Sequence, residues 1–456
     1  MIITIKNFGP IKEFEFDTAT DFMLMVGENN VGKSYAVSVI YIVIKVFLHG
    51  KERIYRDNEF YSEVNRLLDF LCHEVVPNSK EVSLTDAANK SIKELFERTL
   101  VNRLNRSMQN TFGSLYGLNN NCIDKAFEIR ICWNGFGVTF KLSGGLLKIS
   151  DYSFFKKVVM DHDDIVISSF YGCEIRVRNE MPHSILLKPL TDFFSIDTSY
   201  YGIDNIYYLP SAKSGLYLAL SAFGPIFAYL SQERPNMSKQ VDIPAIPEPL
   251  SDYYLYLTNS DGQASKTYSQ YFTDIENNIL QGKISFDNVQ KRLLYNPNNT
   301  ELNLDLSNTS SMVAEVAPLT AFLKFVIPFQ PSLSFQSADT KYIPLLIIEE
   351  PEAHIHPANQ VKLIKILAKL VKDGKIKLII TSHSNYLFNQ CSNLVMDGSI
   401  DKDSFRSVLL RPNEIGSEAV DLEVDEYGIQ DKNFVDTAEE IFEEKLKLFD
   451  KVNGIV

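Results

Sequence analysis

The sequence FMLMVGENNVGKS, residues 22–34, decides how the rest of the chain can be interpreted. Its first part is an apolar run that predicts a short buried strand, and its second part has the pattern G-x-x-x-x-G-K-S of a phosphate-binding loop. From Ala36 to Leu48 the chain is apolar almost all round, which indicates a buried helix. A strand, a glycine loop and a helix in this order predict an α/β domain that binds a nucleotide.

The residue types of this loop fit phosphate binding. Gly27 and Gly32 permit backbone conformations that a side chain would hinder, so successive N–H groups can point at phosphate oxygens. Lys33 would reach the β- and γ-phosphates, and the Ser34 hydroxyl would ligate Mg²⁺. We therefore expect ATP and Mg²⁺ as cofactors. The residues expected to contact the nucleotide are Gly27, Asn29, Asn30, Gly32, Lys33, Ser34 and Tyr35.

A second motif, LLIIEEPEAHIHP at residues 345–357, places two carboxylates directly after four apolar residues. The apolar run predicts a buried parallel strand, and open α/β sheets bind ligands at the carboxyl ends of such strands. Glu349 is expected to hold Mg²⁺ through water. Glu350 is expected to orient or deprotonate the water that attacks the γ-phosphate.

Histidines follow two of the predicted strands. Glu352, His354 and His356 have the side chains of a zinc site, but we favour a role of the histidines in the turn to the next helix or in contact with a partner protomer. His383 follows the strand KLIITS and could hydrogen-bond the γ-phosphate and sense its loss. A structural role beside Ser384, at the start of the next helix, is the alternative.

The segment NTSSMVAE, residues 308–315, places Ser310 and Ser311 just before a predicted helix. Two hydroxyls at a helix N-terminus form either a cap or an anion site. The sequence of this segment alone favours the cap, whereas its place between the other motifs favours the anion site.

Together these motifs resemble those of the ABC-type ATPases of the SMC, RecF and OLD kind, a group that includes ATPase subunits of bacterial anti-phage systems. The resemblance covers about half of the chain, and the OLD-like group often has Arg where Lys213 stands. The segments that carry it are 27–34, 308–315, 345–357 and 381–384, with further similarity at 207–216 and 424–429.

The resemblance implies an α/β P-loop NTPase fold with an ABC-type head, and a head-to-head homodimer that encloses two ATP molecules. Each ATP would contact Lys33 and Glu350 of one protomer and Ser310 and Ser311 of the other. His383 would be the switch histidine.

Two residues depart from the family pattern. Met312 stands where the signature usually has Gly, and Glu349 stands where Asp is commoner. Either departure can slow ATP hydrolysis and favour a long-lived ATP-bound dimer.

The order of the motifs predicts a head that is split by a long mixed α and β insertion. We expect strands at 2–6, 13–16, 343–349, 376–382 and 393–396, and helices at 313–326, 357–372 and 433–449. The predicted units are the N-terminal part of the head (1–49), a helical insertion (50–126), a β-rich part of the head (127–210), a helical insertion with a Pro-rich loop (211–300) and the C-terminal part of the head (301–456).

Composition limits the classes of partner. A net charge of −13 does not indicate a broad nucleic-acid surface, although a local basic groove is compatible with it. Five scattered Cys without a C-x-x-C pair suit a reducing compartment. The most apolar window, 215–230, is too short to span a bilayer and is expected to be a buried helix. We therefore expect a cytoplasmic protein with no membrane partner.

Three functions remain open from the sequence. The first is a sensor or scaffold ATPase of anti-phage defence, which controls a separate effector. A nuclease is the first candidate for that effector, because the chain after His383 is too short for the TOPRIM nuclease domain of OLD-like proteins. The alternative is an SMC- or RecF-like ATPase of DNA repair or DNA clamping, which predicts a basic groove or a long heptad repeat. A transporter ATPase, which predicts a closer LSGGQ signature, is the third.

Overall fold

The computed structural model describes most of the chain, with gaps that include the predicted apolar helix after residue 221 and most of the Pro-rich loop. The described residues are 1–56, 89–90, 93–94, 96–119, 126–133, 136–153, 157–161, 164–168, 174–178, 203–221, 246–327, 343–430 and 437–452.

An eleven-stranded mixed sheet forms the centre of the fold. Its strands, in spatial order, are β10 (Ile203–Leu209), β14 (Ile343–Glu349), β15 (Lys377–Ser382), β3 (Phe22–Gly27), β16 (Phe405–Asn413), β17 (Gly416–Leu422), β2 (Ile11–Asp17), β1 (Ile2–Phe8), β4 (Glu128–Trp133), β5 (Phe136–Ser143) and β6 (Leu146–Ser153). The five strands from β10 to β16 are parallel. Because β3 lies between β15 and β16, the two ends of the chain build one sheet, and the predicted α/β class and split head are confirmed.

Helices cover both faces of this sheet. They are α1 (Lys33–Arg56), α2 (Asn102–Phe112), α3 (Glu248–Thr258), α4 (Ser269–Ile275), α5 (Ser311–Ala321), α6 (Pro357–Lys372), α7 (Asn385–Met396) and α8 (Thr437–Val452), with a further helical segment at 213–221. Met23 and Met25 of β3 join the core that contains α1, whereas Leu24 and Val26 join the core that contains α6 and α7. Strand β3 is therefore apolar at every position because both of its faces are buried.

Three smaller sheets complete the described structure. They consist of β7 (Lys157–Asp161), β8 (Asp164–Ser168) and β9 (Glu174–Arg178), of β11 (Gly282–Asp287), β12 (Arg292–Pro297) and β13 (Leu304–Asp305), and of β18 (Val424–Asp425) and β19 (Gly428–Ile429). The hairpin of β11 and β12 lies within 211–300, which we predict as a helical insertion with a Pro-rich loop, so the prediction is wrong for these residues. Ile284, Leu293 and Tyr295 of the hairpin are buried, and this short alternation of buried positions is that of strands.

The predicted strand at 393–396 is wrong, because these residues form the last turn of α7. Ser384 caps this helix, with its Oγ accepting a hydrogen bond from Leu387 N at 3.3 Å. Leu387, Cys391 and Leu394 are buried at helical spacing. The apolar run NLVM is too short to tell strand from helix by its own pattern, and packing of the whole segment decides for the helix.

The helix predicted at 357–372 is confirmed with the same bounds. The helix predicted at 313–326 is α5 followed by a π-helical turn, Phe322–Val326. The helix predicted at 433–449 corresponds to α8 from Thr437 onward, and 433–436 lie outside the described residues. Within the described part of the chain, none of the helices has the length and apolar character that a bilayer-spanning segment requires. The limits of the domains stay a prediction.

Candidate functional site

Two glycines shape the loop between β3 and α1. Gly27 has φ +143° and Gly32 has φ +96°, which are conformations that other residues rarely adopt. A Cβ atom on Gly27 would lie 2.2 Å from the carbonyl oxygen of Leu410 in β16, and one on Gly32 would lie 2.7 Å from Cγ of Pro10. Neither position has room for a side chain, so the path of the loop requires both glycines.

Lys33 is the first residue of α1 and is buried, with 6% of its surface exposed. Its Nζ donates to the carbonyl oxygens of Gly27 at 2.9 Å and of Glu28 at 2.7 Å, and lies 3.5 Å from Nδ1 of His383. Burial lowers the pKa of Lys33 to about 8, although three nearby carboxylates act in the opposite direction. The ammonium is thus held inside the glycine loop, where a phosphate could replace its carbonyl partners.

Glu349 is the last residue of β14 and is 5% exposed. Burial raises the pKa of Glu349, whereas hydrogen bonds with Ser34 and Tyr208 lower it. Its Oε1 atom is buried and has no hydrogen-bond partner in the described part of the chain. A carboxylate oxygen without a partner, next to a serine hydroxyl, fits the oxygen ligands that Mg²⁺ prefers. Ser34 and Glu349 are therefore the residues that could hold the ion.

Glu350 directly follows β14 in a left-handed conformation, with φ +42°. Its N–H donates to the Thr381 carbonyl oxygen at 2.9 Å, and its Oε1 lies 3.7 Å from Nε2 of His383. The Glu350 side chain is 38% exposed, so its carboxylate can be reached from solvent. The adjacent strands β14 and β15 thus bring the two predicted catalytic residues together.

The protonation of His383 follows from its neighbours. Burial lowers the pKa of His383, and the positive charge of Lys33 lowers it further, so the ring is neutral at pH 7. Nδ1 of the ring faces the Lys33 ammonium, and Nε2 faces Glu350.

Glu352 holds the backbone that carries His383, a role that the sequence interpretation did not foresee. Its Oε1 accepts hydrogen bonds from Ser382 Oγ at 2.8 Å and from His383 N at 2.7 Å. Burial raises the pKa of Glu352. The position follows a strand end and precedes a turn, and only the fold brings it beside β15, so its spacing in the sequence gave no signal for this contact.

The zinc hypothesis finds no support in the described residues. The Oε1 atom of Glu352 is occupied by the contacts to β15, and His354 and His356 are exposed. His356 instead caps α6, since its Nδ1 accepts a hydrogen bond from Ala358 N at 3.3 Å. Among the residues that the structure describes, no group of three or more His, Cys, Asp or Glu side chains could hold a metal ion.

The predicted serine pair lies at the exposed start of α5. Ser310 caps this helix, its Oγ accepting a hydrogen bond from Val313 N at 3.4 Å, and both serines are exposed. The side chain of Met312 packs against the core on that side of the sheet. The methionine therefore turns away from the helix start, where Ser310 and Ser311 remain accessible.

The remaining predicted nucleotide contacts differ in accessibility. Asn29 and Asn30 are exposed in the loop, and Asn30 has φ +65°. The ring of Tyr35 packs against Phe8 and Phe112, with ring centroids 5.7 Å apart in each pair. A contact of Tyr35 with a nucleotide would therefore involve its backbone rather than its ring.

Comparison with known families supports the broad class of the protein. The family described as AAA ATPase domain matches residues 221–388, which include the serine pair, the acidic strand end and His383 but not the phosphate loop. The match covers less than half of the chain and supports an ATPase. No curated protein matches the chain.

Several solved structures of SMC heads are similar to the chain. The SMC head domain from Thermotoga maritima is 10% identical, with a TM-score of 0.34, and the match covers 93% of this chain and 98% of that one. The Smc head domain with an extended coiled coil bound to the C-terminal domain of ScpA, derived from Pyrococcus furiosus, is 12% identical, with a TM-score of 0.34 and coverage of 99% and 98%. An SmcHead bound to the C-winged helix domain of ScpA is 12% identical, with a TM-score of 0.32 and coverage of 93% and 97%.

Proposed function

We propose that this chain is an ATPase that binds and hydrolyses ATP between two copies of itself. The observation that carries the proposal is the meeting of Lys33, Glu350 and His383 at the carboxyl ends of parallel strands, beside the glycine loop. Ligands bind at this edge of open α/β sheets. The match to the AAA ATPase domain family supports the same class of activity.

Phosphate binding is the first task of the site. Lys33 would exchange the carbonyl oxygens of Gly27 and Glu28 for β- and γ-phosphate oxygens, and the N–H groups at the start of α1 would face the same anion. A bound Mg²⁺, held by Ser34 and Glu349, would neutralise part of the phosphate charge.

Hydrolysis is the second task. We assign Glu350 as the base that takes a proton from water while the water oxygen attacks the γ-phosphorus and the bond to ADP breaks. The ring of His383 lies between this carboxylate and Lys33, and with its proton on Nε2 it can donate to the γ-phosphate or to Glu350. A neutral histidine suits this role because it donates through one nitrogen while the other accepts from Lys33.

The second copy would complete the site with Ser310 and Ser311. These residues stand exposed at the start of a helix, where N–H groups and hydroxyls favour an anion. The inward packing of Met312 leaves that helix start open to the γ-phosphate of a partner. Glu349 stands in place of the commoner Asp and should slow hydrolysis, so we expect a long-lived ATP-bound dimer.

As the biological role, we propose a cytoplasmic sensor or scaffold subunit of a bacterial anti-phage defence system that controls a separate effector, with a nuclease as the first candidate. The resemblance of the four motifs to that group supports this role. The test is whether the protein co-purifies with the product of the neighbouring gene, and we expect it to do so only when ATP is present. Strong DNA binding that weakens with salt, without such a partner, would instead favour a DNA-clamping ATPase of the SMC or RecF kind.

Two substitutions test the assignment of the site. Lys33→Ala should abolish ATP retention, because the loop loses its ammonium. Glu350→Gln should retain ATP and form a stable dimer while its hydrolysis rate falls by about 100-fold or more. Glu301→Gln, at an exposed position, serves as the matched control and should hydrolyse ATP like the unchanged protein. Normal hydrolysis by Glu350→Gln would show that the base is assigned wrongly.

A further inference from the structure

We infer that Lys213 is a positioning residue for Glu350, and that Glu315 links it to the helix that begins with Ser310 and Ser311. The inference rests on the proposed function, because it concerns the residue that would activate water. It assigns a role to Lys213, which the sequence analysis named only for its place in the segment 207–216, and a coupling that the motifs do not show.

The ammonium of Lys213 is directed at the backbone of the acidic strand end. Lys213 is 2% exposed, and its Nζ donates to the carbonyl oxygen of Glu349 at 2.9 Å and lies 3.5 Å from that of Glu350. A charge that is buried this deeply is costly unless hydrogen bonds and counter-charges compensate for it. The ammonium therefore fixes the two consecutive peptides that carry the metal-binding and the base candidates.

The backbone at Glu350 needs such a support. A non-glycine residue with φ +42° is strained, and a strained conformation persists only where its surroundings hold it. The Glu350 N–H is held by the Thr381 carbonyl oxygen at 2.9 Å, and its own carbonyl oxygen lies within reach of Lys213. The left-handed turn sets the direction in which the Glu350 carboxylate leaves β14 and faces His383.

Glu315 ties Lys213 to α5. Its carboxylate accepts hydrogen bonds from Lys213 N at 3.1 Å, from Ser214 N at 3.2 Å and from the Ser214 hydroxyl. Glu315 is 5% exposed and lies one helical turn after Ser310 and Ser311. The carboxylate thus caps the helix at 213–221 from α5, and any shift of α5 acts on the segment that carries Lys213.

Tyr253 also contacts this segment. Its hydroxyl donates to the Lys213 carbonyl oxygen at 2.9 Å, and its ring stacks on Phe322, in the π-helical turn that continues α5. Movement of the serine pair against a partner's phosphate would therefore reach Glu350 through buried hydrogen bonds. By this route, closure of two copies around ATP could set the geometry of the base.

Steady-state ATP hydrolysis and ATP binding by Lys213→Met test the inference. Methionine keeps the apolar length of the side chain but removes the donor to both carbonyl groups. We expect kcat to fall at least about tenfold while the Kd for ATP changes less than about threefold, because the lysine acts on the base and not on the phosphates.

Two variants serve as controls. Lys213→Arg keeps the charge and the donors, so its kcat should stay within about fivefold of that of the unchanged protein. Lys362→Met, an exposed lysine that donates to the Asn278 carbonyl oxygen at 3.0 Å, is the matched control and should leave both values unchanged.

A double variant separates positioning from a general structural role. Because Lys213 acts through Glu350, adding Lys213→Met to Glu350→Gln should lower the residual rate less than about twofold further. If Lys213→Met does not fold, Glu315→Gln takes its place, since it keeps the lysine and should lower kcat about three- to tenfold at unchanged Kd. Normal kcat in Lys213→Met or in that substitute, or a parallel loss of kcat and ATP binding, would overturn the inference. If Glu350→Gln itself were fully active, the proposed function would fail instead.

Discussion

Lys33 gives nucleotide binding a pH dependence that can be measured. Its pKa of about 8 means that the free protein loses the proton of Lys33 above that pH, whereas an anion in the loop favours the protonated form. Affinity for ATP should therefore be constant near pH 7 and fall as the pH rises, becoming about tenfold weaker at pH 9. Calorimetric titration at pH 7, 8 and 9 measures this.

Lys33→Arg is the control for this prediction, because a guanidinium stays charged over the whole range. Its affinity, whatever its value at pH 7, should stay constant up to pH 9. An unchanged affinity of the original protein between pH 7 and pH 9 would mean that Lys33 does not meet the phosphates.

Gly27 is the residue at which the loop is least tolerant. In Gly27→Ala the new Cβ would meet the Leu410 carbonyl oxygen in β16, and the positive φ adds strain. We expect the free energy of unfolding to fall by at least about 2 kcal/mol. Gly144 has a positive φ, but no atom lies near the position of its Cβ, so Gly144→Ala should lower the free energy of unfolding by about 1 kcal/mol. Gly117 has neither constraint, so Gly117→Ala should leave stability unchanged. Urea unfolding of the three variants compares them, and equal stability of all three would refute this explanation.

The sequence predicts best those site residues whose chemistry is local. The spacing of Gly27, Gly32 and Lys33 is set by one loop, and the structure gives a steric reason for both glycines. Glu352 and Lys213 could not be predicted in the same way, because their partners are distant in the chain. Glu352 holds a backbone N–H 31 positions away, and Lys213 holds a carbonyl group 136 positions away.

At the scale of elements, a buried ionic group joins α1 to α3. Lys45 donates to Glu248 at 2.6 Å and to Asp252, and the Tyr41 hydroxyl donates to Asp252 at 2.7 Å. The Lys45 side chain is 11% exposed, so the loss of its charge would leave two carboxylates buried together. Lys45→Met should lower the free energy of unfolding by about 3 kcal/mol.

An exposed ion pair provides the comparison. Lys6 and Glu13 are 2.7 Å apart, with side chains 39% and 57% exposed, so solvent screens the pair and Lys6→Met should change stability by less than about 0.5 kcal/mol. Urea unfolding measures both variants. If Lys6→Met and Lys45→Met lowered the free energy of unfolding by similar amounts, burial of the α1–α3 group would contribute nothing to stability.

Helix α6 and strand β14 have the predicted bounds, whereas two segments with few apolar residues were predicted wrongly. Helix α6 has the predicted bounds because its apolar positions recur over four turns between His356 and Asp373. Residues 393–396 and the hairpin at 282–297 were predicted wrongly, since each presents only a few apolar residues. In both places contacts with distant elements decide the structure, and a short pattern does not contain them.

At the scale of the molecule, the central sheet explains why the site is assembled from distant parts of the chain. Strand β3 leads into the glycine loop, while β14 and β15 lead into Glu350, the proposed base, and His383, and the register of these strands sets their carboxyl ends at one edge. The serine pair belongs to α5, where it is exposed. One copy would therefore present both halves of the proposed composite site.

Dimer formation should depend on ATP and on slow hydrolysis. Glu350→Gln with ATP and Mg²⁺ should elute with twice the mass of the free chain, whereas the same protein without nucleotide should remain a single chain. Light scattering coupled to gel filtration measures the mass. If the mass were the same with and without nucleotide, assembly would not depend on ATP and the prediction would be wrong.

The most direct test of the shared site mixes two inactive variants. Lys33→Ala disables the phosphate loop, and Ser311→Glu places a carboxylate where the partner's phosphate would lie, at a helix start that tolerates acidic residues. In a mixed dimer one of the two sites combines an intact Lys33 with an intact serine pair. An equal mixture should therefore recover about a quarter of the unchanged rate of ATP hydrolysis, although neither variant is active alone. A mixture no more active than its separate components, or full activity of Ser311→Glu alone, would contradict a site shared between two copies.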